Sequence, residues 1–335
     1  MHTIAIDAMG GDNAPQATVL GTLRAVEKRD DIVCILIGKR EEIEPHLGDK
    51  RAHERIRVID AREVITNHES PVMALRKKPD ASLSVALKMV RDGEASALVS
   101  AGSTGAVMAG ALFRLERLPY VERPALAVPI PTLNGVSLLV DSGANVDVSP
   151  DILVKFAAMG SVFAKHTLGK ANPTVALINI GEESEKGNAL TKEAYKLLSA
   201  SGQPFNFIGN IEARGVPMGE ADIMVCDGFT GNIILKSIEG VSKALFTKIK
   251  QSLSSSAMGK LGGLFAQSSF RKIRKEMSAD EVGGALLLGA SAVVVKAHGN
   301  SNEYAFSQAI SQAYNAVKGD VITKIRESLT ILEGH

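Results

Sequence analysis

The sequence predicts an α/β fold of three layers, αβα, built on a mostly parallel sheet. Two observations carry that expectation. Short apolar runs such as residues 3–8, 32–37 and 174–180 alternate with segments whose apolar residues recur at helical spacing. Turns rich in Gly, Asp, Asn, Ser and Thr then follow those runs, beginning near Asp7, Ser100, Asp141, Gly181 and Asp227. Ligands of open parallel sheets sit at the carboxyl ends of the strands. All five turns are therefore expected at one edge, as one site.

Taken in order, the strand at 3–8 runs into Asp7, Ala8, Met9, Gly10, Gly11, Asp12 and Asn13. Pro15 then stands where a helix begins, and Val19, Leu20, Leu23 and Val26 give that helix its apolar face. A strand at 32–37, a polar helix at 40–47 and a strand at 56–59 follow. The charged stretch 69–81, broken by Pro71 and Pro79, reads as a surface loop over an opening. A helix at 82–91 leads to the strand ending in Leu98 and Val99, the turn at 100–106 and an apolar helix over 107–115.

Strands at 124–129 and 136–140, joined by a Pro/Asn/Gly turn, suggest a hairpin. A long helix runs from Pro150 through His166, a strand covers 174–180, and a helix reaches Ala200. Strands at 205–208 and 223–226 precede a helix to about Lys250. Beyond the stretch 251–275, residues 283–289 and 292–295 are small or apolar and suited to tight packing. Helices at 303–317 and 320–332 close the chain. The whole of 1–335 reads as a single α/β unit.

Composition narrows the function. With 45% hydrophobic and 22% charged residues, the balance is that of a soluble globular protein. A net charge of +1 supplies no general field to recruit nucleic acid. Cys34 and Cys226 lie in apolar runs without CxxC spacing and read as buried free thiols of a reducing compartment. No signal segment or apolar run of membrane-spanning length stands out, so a cytoplasmic location is expected. The GxxxxGK[ST] loop, a GxGxxG after the first strand, HExxH, paired CxxC and Gly-x-Ser-x-Gly are all absent. No metal site is legible.

Five segments carry a resemblance: 7–12 (DAMGGD), 100–106 (SAGSTGA), 143–147 (GANVD), 227–232 (DGFTGN) and 296–299 (KAHG). In this order and spacing they resemble the PlsX family of bacterial phosphate acyltransferases, over essentially the whole chain. The resemblance implies a fold similar to the isocitrate and isopropylmalate dehydrogenases and to phosphotransacetylase, and a homodimer. It implies transfer of a long acyl chain from acyl carrier protein to inorganic phosphate, without a cofactor. The acyl phosphate formed would pass to a membrane glycerol-3-phosphate acyltransferase. Two positions depart from the family pattern: Ser103, where Asn is common, and Leu286, where Pro is common.

Such a reaction requires a cradle for phosphate, a positive charge and donors for the developing oxyanion. Ser103 and Thr104, at the start of a helix beside Gly102 and Gly105, offer two hydroxyls and backbone N–H groups. The same glycines also suit a tight packing turn. Lys186, in a glycine-flanked loop after a strand, is the favoured cation, although loop lysines are commonly just solvated. Asp227 and Asn232 flank a helix start, where they either orient substrate or cap the helix. His298 either protonates the leaving thiolate or is structural. Asp7, Gly10, Gly11, Asp12, Asn13, Asn145, Thr230 and Gly231 complete the candidate binding set.

The stretch 251–275 stands apart as a protruding amphipathic arm. Leu261, Leu264 and Phe265 recur near helical spacing, with Arg271, Lys272, Arg274 and Lys275 beyond them. Glycines at 259, 262 and 263 favour a broken tip. The arm suits an anionic membrane surface, the acidic carrier protein, or dimer packing. Two other classes stay open: a membrane-attached scaffold that binds the carrier protein without turnover, and a dehydrogenase sharing the fold.

Overall fold

The structure, a computed structural model, describes residues 1–49, 53–277 and 281–334, with only the backbone of 274–276. The first part of the chain forms β1 (His2–Asp7), α1 (Gln16–Glu27), β2 (Ile32–Gly38), α2 (Arg40–Leu47) and β3 (Ile56–Asp60). It continues through α3 (Pro71–Lys77), α4 (Ser82–Arg91), β4 (Ala97–Ser100) and α5 (Thr104–Gly110). A hairpin of β5 (Ala125–Thr132) and β6 (Gly135–Val140) opens the second part. There α6 (Pro150–Thr167), β7 (Thr174–Asn179), α7 (Ala189–Leu198), β8 (Asn206–Glu212) and β9 (Ile223–Val225) follow. Two long helices, α8 (Gly228–Ser254) and α9 (Ala257–Glu276), precede β10 (Gly284–Leu288), β11 (Val293–Ala297), α10 (Glu303–Lys318) and α11 (Val321–Glu333).

Local chemistry sets several of these starts. Pro150 occupies the first turn of α6, where its missing N–H costs nothing. Asn188, Asp227 and Asn302 cap α7, α8 and α10, each accepting a backbone N–H three residues on. The expected loop at 69–81 contains α3 instead. Pro71 suits a helix's first turn as well as a loop, and Pro79 then ends the helix two residues beyond Lys77. The apolar helix after Ser103 is α5, which passes into a π-helical turn over Ala111–Leu115.

The strands among the described residues form one eleven-stranded sheet, in the order β3-β2-β1-β4-β11-β10-β5-β6-β9-β7-β8. One face is covered by α1, α6, α10 and α11, where Phe156, Phe163 and Phe306 are fully buried. Each such burial stabilises by about 1.5–3 kcal/mol. On the other face α3, α4 and α5 cover the first half, with Leu83, Leu87 and Val107 at the contact. Ile234 of α8 packs with Leu139 and Met224 over the second half. The three-layer expectation holds.

The segments 283–289 and 292–295, read only as tightly packing, are largely strands, and they decide the topology. β10 pairs antiparallel with both β11 and β5, and β5 pairs antiparallel with β6. The other neighbours are parallel, so β6, β9, β7 and β8 run opposite to β3, β2, β1, β4 and β11. This corrects the expectation of one edge. The turns after Asp7 and Ser100 leave one edge of the sheet; those after Asp141, Gly181 and Asp227 leave the opposite one.

The arm begins earlier than residue 251. Of the 27 residues of α8 only Gly228, Gly231 and Ile234 are buried. Val241, Leu245, Met258, Leu261, Leu264 and Phe265 are all exposed, Phe265 by 79%. The chain reverses at Ser255 and Ser256, and the glycines expected to break the tip lie inside α9. A Cβ on Gly259 would stand 2.6 Å from the Leu253 carbonyl oxygen, so that glycine lets the two helices approach. The side chains of Arg271 and Lys272 are exposed, while those of Arg274 and Lys275 lie outside the described residues. No helix among the described residues is long and apolar enough to cross a membrane.

Candidate active site

At the first edge Asp7 ends β1, 2% exposed. Its two carboxylate oxygens accept from Ser82 Oγ and Ser100 Oγ, each at 2.6 Å. Burial raises its pKa, and the two hydroxyls and Lys296 oppose that rise. Ser100 Oγ in turn accepts the Gly102 N–H at 3.0 Å, fixing the start of the glycine turn. Gly10 is obligatory against this turn, because a Cβ there would lie 2.5 Å from Asp7 Oδ2 and 2.7 Å from Gly102 N. Gly11 adopts φ +105, which glycine alone takes readily.

The segment after β11 closes the same edge. Asp12 N–H donates to Gly299 O at 2.7 Å, and Asn13 Nδ2 donates to Asn300 O and Ser301 O. His298 is exposed, its Nδ1 accepting the Asn300 N–H at 3.4 Å. Ser103 stands at the N-cap of α5 without making a side-chain cap bond, and Thr104 beside it is exposed. Asp7, Gly10, Gly11, Asp12, Asn13, Ser103, Thr104 and His298 thus share this edge.

Sequence reasoning missed the group at its centre. Lys296 lies on β11, only 9% exposed, with Nζ donating to Ala101 O at 3.4 Å and to Ala297 O. Burial lowers its pKa to about 8, against the opposing pull of Asp7 and Asp12. The signal was present in the sequence: a lysine within the otherwise apolar run 293–297, opening the segment 296–299; all five residues of that run are buried. Asp7 and Ser100, in register on β1 and β4, complete the row.

The opposite edge is built differently. Asp141, wholly buried, accepts from the backbone N–H groups of Leu126, Gly143, Ala144 and Asn145 and from Asn145 Nδ2. Burial raises its pKa against those hydrogen bonds. Asn145 also donates to Pro124 O at 2.8 Å, so its amide braces the turn and does not reach outward. Gly231 is forced, since a Cβ would fall 1.9 Å from Asp141 O. Asp227 accepts from both the N–H and Oγ1 of Thr230 at 2.8 Å; these two candidates satisfy each other as a helix cap. Asn232 is exposed beside Gly143, and Lys186 is exposed in the turn after β7.

The structure therefore does not unite the candidates. Lys186, Asn145, Asp227, Thr230, Gly231 and Asn232 stand at one edge and the Asp7, Ser103 and His298 group at the other. β4 and β6 are four strand spacings apart, about 19 Å laterally. Both thiols are free and buried, and burial raises the Cys34 pKa to about 12, so neither is a nucleophile at neutral pH.

Comparison with known proteins accords with this fold. The solved EutD phosphotransacetylase of Staphylococcus aureus superposes with a TM-score of 0.58 at 16% identity, covering 95% of this chain and 94% of that one. A phosphotransacetylase of Streptococcus pyogenes gives 0.59 at 16%, over 98% and 94%. In sequence, phosphate acyltransferases of Clostridium tetani and Desulfitobacterium hafniense are each 46% identical, with 98% of both chains covered. That of Clostridium kluyveri is 48% identical over 96% of each. A family model described as fatty acid synthesis protein matches residues 2–324. By that match and those identities, the chain belongs to this family, the PlsX phosphate acyltransferases.

Proposed function

We propose that the chain transfers a long-chain fatty acyl group from acyl carrier protein to inorganic phosphate. A phosphate oxygen attacks the thioester carbonyl, the oxyanion of the tetrahedral intermediate collapses, and the C–S bond breaks. The products are acyl phosphate and the carrier thiol, once the thiolate takes up a proton. Phosphate is itself a nucleophile at neutral pH, so no acyl-enzyme is needed. The observation that carries the reading is the first edge: the Ser103 and Thr104 side chains beside a glycine turn, next to a buried ammonium. Such donors favour an anion and a developing oxyanion. On this reading His298, exposed on the same edge, protonates the leaving thiolate.

Lys186, Asp227 and Asn232 enter this reading through a homodimer, in which the second edge of one copy faces the first edge of its partner. The exposed apolar face of α8 and α9, with Arg271 and Lys272, supports peripheral attachment to the anionic inner face of the cell membrane. There a membrane glycerol-3-phosphate acyltransferase would receive a product too apolar to diffuse freely.

The test is direct. Purified protein is mixed with long-chain acyl carrier protein and phosphate, and acyl phosphate is trapped with hydroxylamine. Phosphate-dependent product supports the reading. No turnover favours a scaffold, and reduction of a nicotinamide cofactor with a hydroxy acid favours a dehydrogenase.

A further inference from the structure

Asp7, Ser100 and Lys296 stand in one row across the adjacent parallel strands β1, β4 and β11. Residues in one row present their side chains to the same face of a sheet. A carboxylate, a hydroxyl and an ammonium are thus aligned beneath the turn that begins at Gly102. The three are not equally satisfied. Asp7 spends its oxygens on Ser82 and Ser100, and Ser100 accepts from Gly102. Lys296 Nζ finds two backbone carbonyls, of Ala101 and Ala297, and Asp7 and Asp12 act on it only through space.

A lysine this buried is rare without a paired charge, because the desolvation of an ammonium is repaid only by a close anion. With three N–H donors and two carbonyl acceptors, one donor is left over. The Ala101 carbonyl that holds Nζ immediately precedes Gly102, so the amine is tied to the turn carrying Ser103 and Thr104. Lys186, by contrast, is exposed at the far edge of the sheet.

We propose that Lys296 binds the phosphate nucleophile from beneath the glycine turn, with the Ser103 and Thr104 hydroxyls completing the site. This rests on the phosphate acyltransferase reading and names the cation of that site. The nucleophile is thereby held between a fixed ammonium and the turn, with its attacking oxygen left outward toward the thioester.

Steady-state kinetics of Lys296→Met, Lys296→Gln and Lys296→Arg test the assignment, varying phosphate at fixed acyl carrier protein thioester and then the reverse. Loss of one charge-assisted contact should raise the phosphate KM by about 10- to 100-fold in the Met and Gln variants. The KM for the carrier thioester should stay within about twofold, a split that a merely structural lysine would not give. Lys296→Arg, which keeps the charge in a larger group, should recover part of the loss. Calorimetric titration of each folded variant with inorganic phosphate reads the same contact without turnover. If wild type forms no acyl phosphate, the underlying reading fails. If wild type turns over while the Gln variant keeps a normal phosphate KM and phosphate binding, the assignment of Lys296 is overturned and the reading stands.

Discussion

Replacing Lys296 by Met should leave the fold at least as stable as before at neutral pH. Burial brings the Lys296 pKa from 10.5 to about 8. At ~1.4 kcal/mol per pH unit, carrying this charge costs the native state about 3 kcal/mol wherever the pH is well below 8. Methionine matches the length of the chain and carries no charge. Against the relief stand the bonds from Nζ to the Ala101 and Ala297 carbonyls, about 1 kcal/mol each. The net expectation at pH 7 is a change between zero and about +1 kcal/mol. The sign with pH is equally definite. Between pH 8 and 10.5 the unfolded chain binds more protons than the native one, so wild type gains stability as pH rises. The variant lacks that contribution, and its advantage should shrink by up to ~3 kcal/mol across the window. Urea unfolding of both proteins at pH 7, 8, 9 and 10 measures it. A variant that is more than about 2 kcal/mol weaker at pH 7, or a difference independent of pH, would refute the argument that the fold bears an unpaired buried charge.

Other consequences can be tested beside it. Gly231→Ala places a Cβ 1.9 Å from Asp141 O and should destabilise by at least about 2 kcal/mol in urea unfolding; wild-type stability would mean that α8 packs elsewhere. Lys186→Ala should lower turnover by roughly a hundredfold in a folded protein. Co-expressed with Lys296→Met copies, it should recover about a quarter of wild-type turnover if a site is shared between two subunits. No recovery would mean that no site is shared between two subunits. Wild type should co-sediment with anionic vesicles less well as salt rises, and Leu264→Glu with Phe265→Glu should release it while soluble acyl transfer persists; loss of the dimer with membrane binding intact would make the arm a packing element.

The layers and most elements were legible because they rest on local periodicity. Val19, Leu23 and Val26 mark α1, and Asp227 marks the start of α8 by the chemistry of a cap. Strand direction is not local. Nothing in 284–288 distinguishes a strand antiparallel to both neighbours from any buried apolar run, yet that strand sets the two halves against each other. The hairpin at β5 and β6 is visible in the sequence, but a hairpin by itself does not fix which later strands pair on β6 and in which direction. The site failed in the same way. Glycine turns are readable one by one, whereas the row of Asp7, Ser100 and Lys296 draws on strands nearly 300 residues apart in sequence. In the sequence only two signs point there: a lysine inside an apolar run, and its place at the head of the segment 296–299.

The two edges share a plan and differ in charge balance, and that difference is the ground for proposing the anion site at the first. Each begins with a buried aspartate at a strand end, Asp7 or Asp141, each with a glycine turn packed on it. Asp141 takes four backbone N–H groups and one amide, a set of neutral donors that satisfies a carboxylate and calls for nothing further. Asp7 takes two hydroxyls, and β11, two strands away, sets an ammonium in the same row without a hydrogen bond to the acid. A buried cation whose hydrogen bonds go only to carbonyls, with Asp7 and Asp12 acting from a distance, is left under-compensated for its desolvation. A phosphate dianion would be attracted there and has no such reason to settle beside Asp141. On the proposed reading, the exposed Lys186 and Asn232 would serve a different part of the reaction, the thioester brought in from outside, because an exposed group can meet a large carrier while a buried one cannot. Phosphate beneath the turn and acyl donor above it would meet at the carbonyl that has to be attacked.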